Sequence, residues 1–116
     1  MKKTALTIVL ATAALAGGAQ AALPVLFEEA QARTEEERIF RSPIAGIENR
    51  YWFNYRTNVL EAKKELSSDL RRASDTEDLR DAWGEYGSEL RDERVDYAEE
   101  MAERGFRSGT VRFEDY

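Results

Sequence analysis

Eight carboxylates recur along one stretch at steps of three and four: Asp78, Asp81, Glu85, Glu89, Asp92, Asp96, Glu99 and Glu103. On an α-helix this spacing gathers them on one face. Carboxylate oxygens suit hard cations such as Ca2+ or Mg2+. Asp78, Asp81, Glu85, Glu89, Asp92 and Asp96 are therefore a candidate face for a weakly held cation or a basic partner. A straight helix does not wrap an ion as a calcium loop does, and EF-hand spacing is missing. Carboxylate pairs also serve glycosidases, but they need a cleft that gives the two groups different surroundings. The chain has no His and no Cys, which removes the usual ligands of Zn2+, Cu2+ and haem iron. Without a Gly-rich phosphate loop or a GxSxG, the sequence points to no catalytic residue, no cofactor and no enzyme. A solvated outer face, paired in part with Arg80, Arg91, Lys63 and Lys64, is the plainer reading of the ladder.

The second group with chemical potential is aromatic. Arg50–Arg56 reads RYWFNYR, with Tyr51, Trp52, Phe53 and Tyr55 as candidate partner-binding residues. Successive helical residues turn by about 100°, so these rings cannot all face one neighbour. Tyr51 and Tyr55 fall on the apolar seam, Trp52 on its flank and Phe53 nearly opposite. Covering the last two requires the N-terminal arm or the C-terminal tail, a second copy, or another molecule. Farther on, Trp83-Gly84-Glu85-Tyr86-Gly87 places two glycines inside a helical pattern, at about 1 kcal/mol each against Ala. Either a neighbouring helix approaches closely there, or Trp83 and Tyr86 edge a shallow groove.

The elements that position these groups follow from apolar spacing. Ile44, Ile47, Tyr51, Tyr55, Val59, Ala62, Leu66, Leu70 and Ala73 recur at helical steps. Ser42-Pro43 reads as the start of that helix, with Ser as N-cap. Ser74 with Glu77 fits a capping box, and Asp75 with Asp78 offers a second register. A second stripe runs Leu79, Ala82/Trp83, Tyr86, Leu90, Arg94, Tyr97 and Met101, and closes at Gly105. Two long helices joined by so short a turn lie antiparallel. The expected register sets Leu70 opposite Leu79, Leu66 opposite Trp83 and Val59 opposite Leu90. It places Tyr55 beside Arg94, as a cation–π pair, and Tyr51 beside Tyr97 and Met101.

The fold expected is all-α. Residues 43–104 form a long antiparallel two-helix hairpin with its turn at about 74–76, and residues 22–42 form an arm with a short helix. Residues 105–116 are a tail whose Val111-Arg112-Phe113 alternation offers either a strand for a partner's sheet edge or packing on the hairpin's open end. A hairpin this small, with no Cys to staple it, is marginal alone. Dimerisation is the expected remedy.

Residues 1–21 read as a cleaved secretory signal: Lys2 and Lys3, an apolar run from Ala5 to Ala16, then Ala19-Gln20-Ala21 as a cleavage site. The run is shorter than the roughly 20 residues of a membrane span, so no stable span is expected after cleavage. The location expected is the periplasm of a Gram-negative bacterium. The full chain carries 17 basic and 23 acidic residues; loss of Lys2 and Lys3 takes the net charge from −6 to −8. That balance argues against nucleic acid as a partner. The expectation is a non-enzymatic protein binding a protein partner or client, itself included, through the aromatic patch. The alternative is an acidic, cation-responsive buffer or sensor. In outline the architecture resembles the small helical periplasmic stress chaperones of the Spy/CpxP type. It lacks their LTxxQ motif, so no residue role or activity carries over.

Overall fold

The computed structural model describes residues 25–107 of the chain. The expected signal and the tail beyond Arg107 lie outside the described residues. Within them are three α-helices and one 3-10 turn, and no strand. The helices are α1 (Phe27–Glu37), α2 (Arg50–Arg72) and α3 (Thr76–Glu103), and the turn is Ile44–Gly46.

Helix α1 is built from good helix formers, with Glu28 and Glu29 in the first turn, where the macrodipole favours negative charge. Arg33 spans Glu29 and Glu36 one turn to either side. Helix α2 starts later than Ser42-Pro43 suggests. Pro43 is extended, and Ala45 and Gly46 both adopt left-handed backbone, φ 58° and 71°. Two left-handed residues cannot continue a right-handed helix. The start passes to Asn49, whose side chain accepts the Trp52 amide at 3.1 Å. Ile44 is still buried in the core, from the turn rather than from a helix.

Of the two caps offered at the connector, the structure takes Asp75. Its carboxylate accepts the Asp78 amide at 2.8 Å, and the Asp78 carboxylate accepts both the amide and the hydroxyl of Ser74 at 3.0 Å. Helix α3 ends at Gly105 with φ 90°. The Gly105 amide bonds to Ala102 and the Phe106 amide to Met101. This is the paired closure that a left-handed glycine permits.

Helix α3 is the platform on which both other helices pack. The core joins Trp52, Tyr55, Val59 and Ala62 of α2 to Trp83, Tyr86, Leu90, Tyr97 and Met101 of α3. Ala32 of α1 and Ile44 of the linker complete it, with Leu26, Ile39 and Phe40 packed against it. The arm thus supplies cover that a bare pair of helices lacks.

Candidate partner-binding surface

The aromatic stretch divides into buried and open parts. Trp52 is 5% exposed and Tyr55 2%, whereas Phe53 is 47% exposed; Tyr51 is half-buried. Tyr55 meets Tyr97 rather than Arg94. The two rings stack with centroids 4.9 Å apart and planes within 16°. Phe40 stands edge-on to both, at 5.8 and 5.6 Å, and Trp52 lies 5.9 Å from Tyr97. The expected register is therefore displaced by three residues, close to one turn. Arg94 turns instead to Glu35 of α1, at 2.9 Å.

The linker closes over this cluster through its backbone. The Phe40 amide donates to the Tyr55 hydroxyl at 3.0 Å and the Ile44 amide donates to the Tyr97 hydroxyl at 2.9 Å. Burial pushes both phenol pKa values up, against the lowering effect of those amide bonds. Tyr51, at the rim, lies under the Arg104 and Arg50 guanidiniums and accepts a hydrogen bond from each.

Helix α1 lies on both Trp83 and Tyr86, so Tyr86 edges no groove, while Trp83 keeps one side on a hollow. Arg33 sits 4.6 Å over the Trp83 ring, and the Tyr86 hydroxyl donates to Glu36 at 2.6 Å. Burial, then the bond to Glu36, drives the Tyr86 pKa well above the usual phenol range. Burial also pushes Glu36 up, but hydrogen bonds from Tyr86 and Arg33 outweigh it and hold the carboxyl below its ordinary value. The glycines explain the close approach: a Cβ on Gly87 would stand 3.2 Å from the Ala32 Cα, while one on Gly84 would make ordinary contact with Glu28. A hollow of about 360 Å³ remains beside α1, between Glu28, Glu35 and Arg38 on one side and Trp83, Gly84 and Arg91 on the other.

The carboxylate ladder also separates. Asp78 is spent on the connector. Asp81, Glu85, Asp92, Asp96, Glu99 and Glu103 are exposed along α3. Asp92 and Glu103 each have an arginine within 4 Å, at 3.6 and 3.8 Å, while Asp81, Glu85 and Asp96 have none among the described residues. Glu89 is half-buried toward α2, where Glu65, Glu85 and Glu89 bring carboxylate oxygens within 4.8 Å of one another. Burial raises the Glu89 pKa, and Glu65, Glu85, Glu93 and Asp69 push it the same way. The three carboxylates have the donor chemistry for a hard cation, and they repel one another without one.

The surface not anticipated is the outward side of α2. Phe53 and Leu60, seven residues and nearly two turns apart, share one row, and Leu60 is 61% exposed. Arg56 and Lys63 form the row on one side; Thr57, Lys64 and Arg71 form the row on the other, all exposed. None of these four basic groups lies within 4.0 Å of a carboxylate among the described residues. Of the acidic residues of α2, Glu65 and Asp69 fall on the other side of the helix, while exposed Glu61 borders the Thr57–Lys64 row, one turn from each. Phe53 alone drew attention in the sequence. The signal available for the rest was a helical sector holding four cations and no anion. Among the described residues no helix is long and apolar enough to cross a membrane.

Compared with protein-family models, curated proteins and solved structures, the chain matches none.

Proposed function

We propose that this chain is a non-enzymatic, exported interaction protein. In this reading α2 and α3 form an antiparallel helical hairpin, α1 clasps one side of it, and the outward row of α2 binds a protein partner of acidic character. The hairpin is supported by contacts that run in opposite order along the helices: Asn49 with Met101, Tyr55 with Tyr97, Asn58 with Glu93. Export is supported by the three-part pattern of residues 1–21.

The observation that carries the binding reading is the pair of large exposed apolar side chains, Phe53 and Leu60, set between rows that hold Arg56, Lys63, Lys64 and Arg71. Single exposed apolar residues are ordinary, but two in register between flanking cations make an amphipathic stripe suited to a partner with an acidic rim. Trp52 and Tyr55 support this stripe from inside and leave Phe53 as the contact. A photo-crosslinking residue placed at position 53 or 60 of the exported protein, in its own cells, tests the idea. A discrete protein adduct at both positions, absent from a control at Glu77, is the expected result. Equal labelling at all three positions would sink it.

The cation reading rests on the convergence of Glu65, Glu85 and Glu89. Its test is thermal stability in millimolar Ca2+ or Mg2+ against Na+ at matched ionic strength. Equal gains mean screening and no site.

A further inference from the structure

Helix α3 is joined to α1 and to α2 by different chemistry. Among the described residues, the ion pairs that cross between helices both run from α1 to α3: Glu35 with Arg94 at 2.9 Å and Glu28 with Arg80 at 3.9 Å. None joins α2 to α3. Glu36 adds the bond it accepts from Tyr86. Glu28, Glu35 and Glu36 thus hang on the face of α1 that carries Ala32, the only buried residue of that helix, with Leu26 packed at its start. Between α2 and α3 lies the apolar and aromatic core, and Asn58 to Glu93 is the one hydrogen bond there that ends on a carboxylate. The linker is held by a third means. Its Phe40 and Ile44 amides bond to phenol oxygens, and burial pushes both phenol pKa values up, so neither group changes charge in acid.

We infer that α1 is an acid-released strap: it lets go of α3 when its carboxylates are protonated, while the linker stays pinned and α2 and α3 stay packed, and so it bares Trp83, Tyr86 and Gly87. The groups that face the three carboxylates come from every helix. Glu36 meets Arg33 of its own helix, Tyr86 of α3 and the field of Lys63 of α2. Glu35 lies between Arg38, at 3.5 Å, and Arg94. Glu28 faces Arg80, and its Oε1 is buried without a hydrogen-bond donor. Protonation ends the ion pairs and leaves the cations of α3 without their partners. For Glu36 the sign is explicit. Its pKa is lowered on folding, so its contribution is present above the ordinary value of 4.5 and is lost as pH falls through the folded value. Once free, a helix of eleven residues is marginal in water, so α1 unwinds and the gain in chain entropy favours release.

Amide hydrogen exchange of the exported protein tests this, read residue by residue at about pH 7 and about pH 3.5 and corrected for the intrinsic rate at each. Protection inside α1 should fall at least ~10-fold at the lower pH, while the Phe40, Ile44, Val59 and Leu90 amides keep theirs. Two variants sharpen the result. Glu35→Gln with Glu36→Gln should leave α1 as weakly protected at neutral pH as the unaltered chain is in acid, with no further fall. Glu37→Gln, at an exposed position of the same helix, should keep the response of the unaltered chain. Loss of protection at Val59 and Leu90 along with α1 would mean global acid unfolding and would overturn the inference. So would an α1 that stays protected at the lower pH. A double variant that still holds α1 at neutral pH, or still loses it only in acid, overturns it too. If Val59 and Leu90 of that variant are unprotected at neutral pH, it has not folded, and the profile of the unaltered chain decides.

Discussion

Glu89 and Glu36 are the same side chain held to opposite ends by their neighbours. Glu89 stands among Glu65, Glu85, Glu93 and Asp69, and its pKa is raised. Glu36 accepts from Tyr86 and Arg33, and its pKa is lowered. The folded state therefore binds a proton at Glu89 more readily than the unfolded chain does. Its penalty is absent below the ordinary value of 4.5 and develops as pH rises through the folded pKa. Glu36 behaves in reverse: its contribution is present above its ordinary value and is lost as pH falls through the folded one. Glu89→Gln should therefore raise the urea midpoint at pH 7, with the gain shrinking to nothing by about pH 4. A gain that persists at pH 4 would show that packing, not charge, is responsible. None of this was legible beforehand. The ladder's spacing set Glu89 in line with its neighbours, but only the facing Glu65 and Asp69 of α2 distinguish it.

At the scale of elements, the glycines of α3 separate by what faces them. Gly84 has room for a methyl group, so Gly84→Ala should stabilise the fold by about 0.5–1 kcal/mol through helix propensity. Gly87 is pressed against the Ala32 backbone, so Gly87→Ala should cost about 1–2 kcal/mol because α1 must move outward. Urea midpoints for the two variants check the pair, and equal effects would mean that α1 does not lie against Gly87. Both long helices were readable from apolar spacing, since Tyr55, Val59, Ala62, Tyr86, Leu90, Tyr97 and Met101 are all buried where the stripes put them. The start of α2 was not. Ser42-Pro43 satisfies every local rule for a helix start, and the left-handed backbone at Ala45 leaves no composition signal in an alanine. Register was misread by nearly a turn because the Asp75 cap and the Tyr55–Tyr97 stack, not the connector's length, fix the slide of one helix on the other. The docking of α1 was hidden for another reason: its only fully buried residue is Ala32, and the rest of its grip is polar.

Across the whole molecule, charge is sorted. Helix α3 carries its exposed carboxylates along one ridge, and α2 carries Arg56, Lys63, Lys64 and Arg71 in one exposed sector, with Lys63 near enough to Glu36 of α1 to help lower its pKa. Like charges three and four residues apart each cost a few tenths of a kcal/mol, and surface ion pairs return little. Raising NaCl from ~10 to ~150 mM should therefore raise the melting temperature by screening the ridge. A fall would mean that the Arg33 pairs within α1 and the Arg94–Glu35 pair between α3 and α1 outweigh the ridge. The net charge was readable at once, but its division between two surfaces required knowing which side of each helix is buried.

The two tyrosines that hold the linker make it observable at single peptide groups. The Phe40 and Ile44 amides point inward onto phenol oxygens, in a segment that belongs to no long helix. In deuterated water these two protons should exchange far more slowly than those of ordinary loop residues, and only as often as the linker lifts. Their rates would time the opening of the clasp directly, and Tyr97→Phe should release Ile44 first.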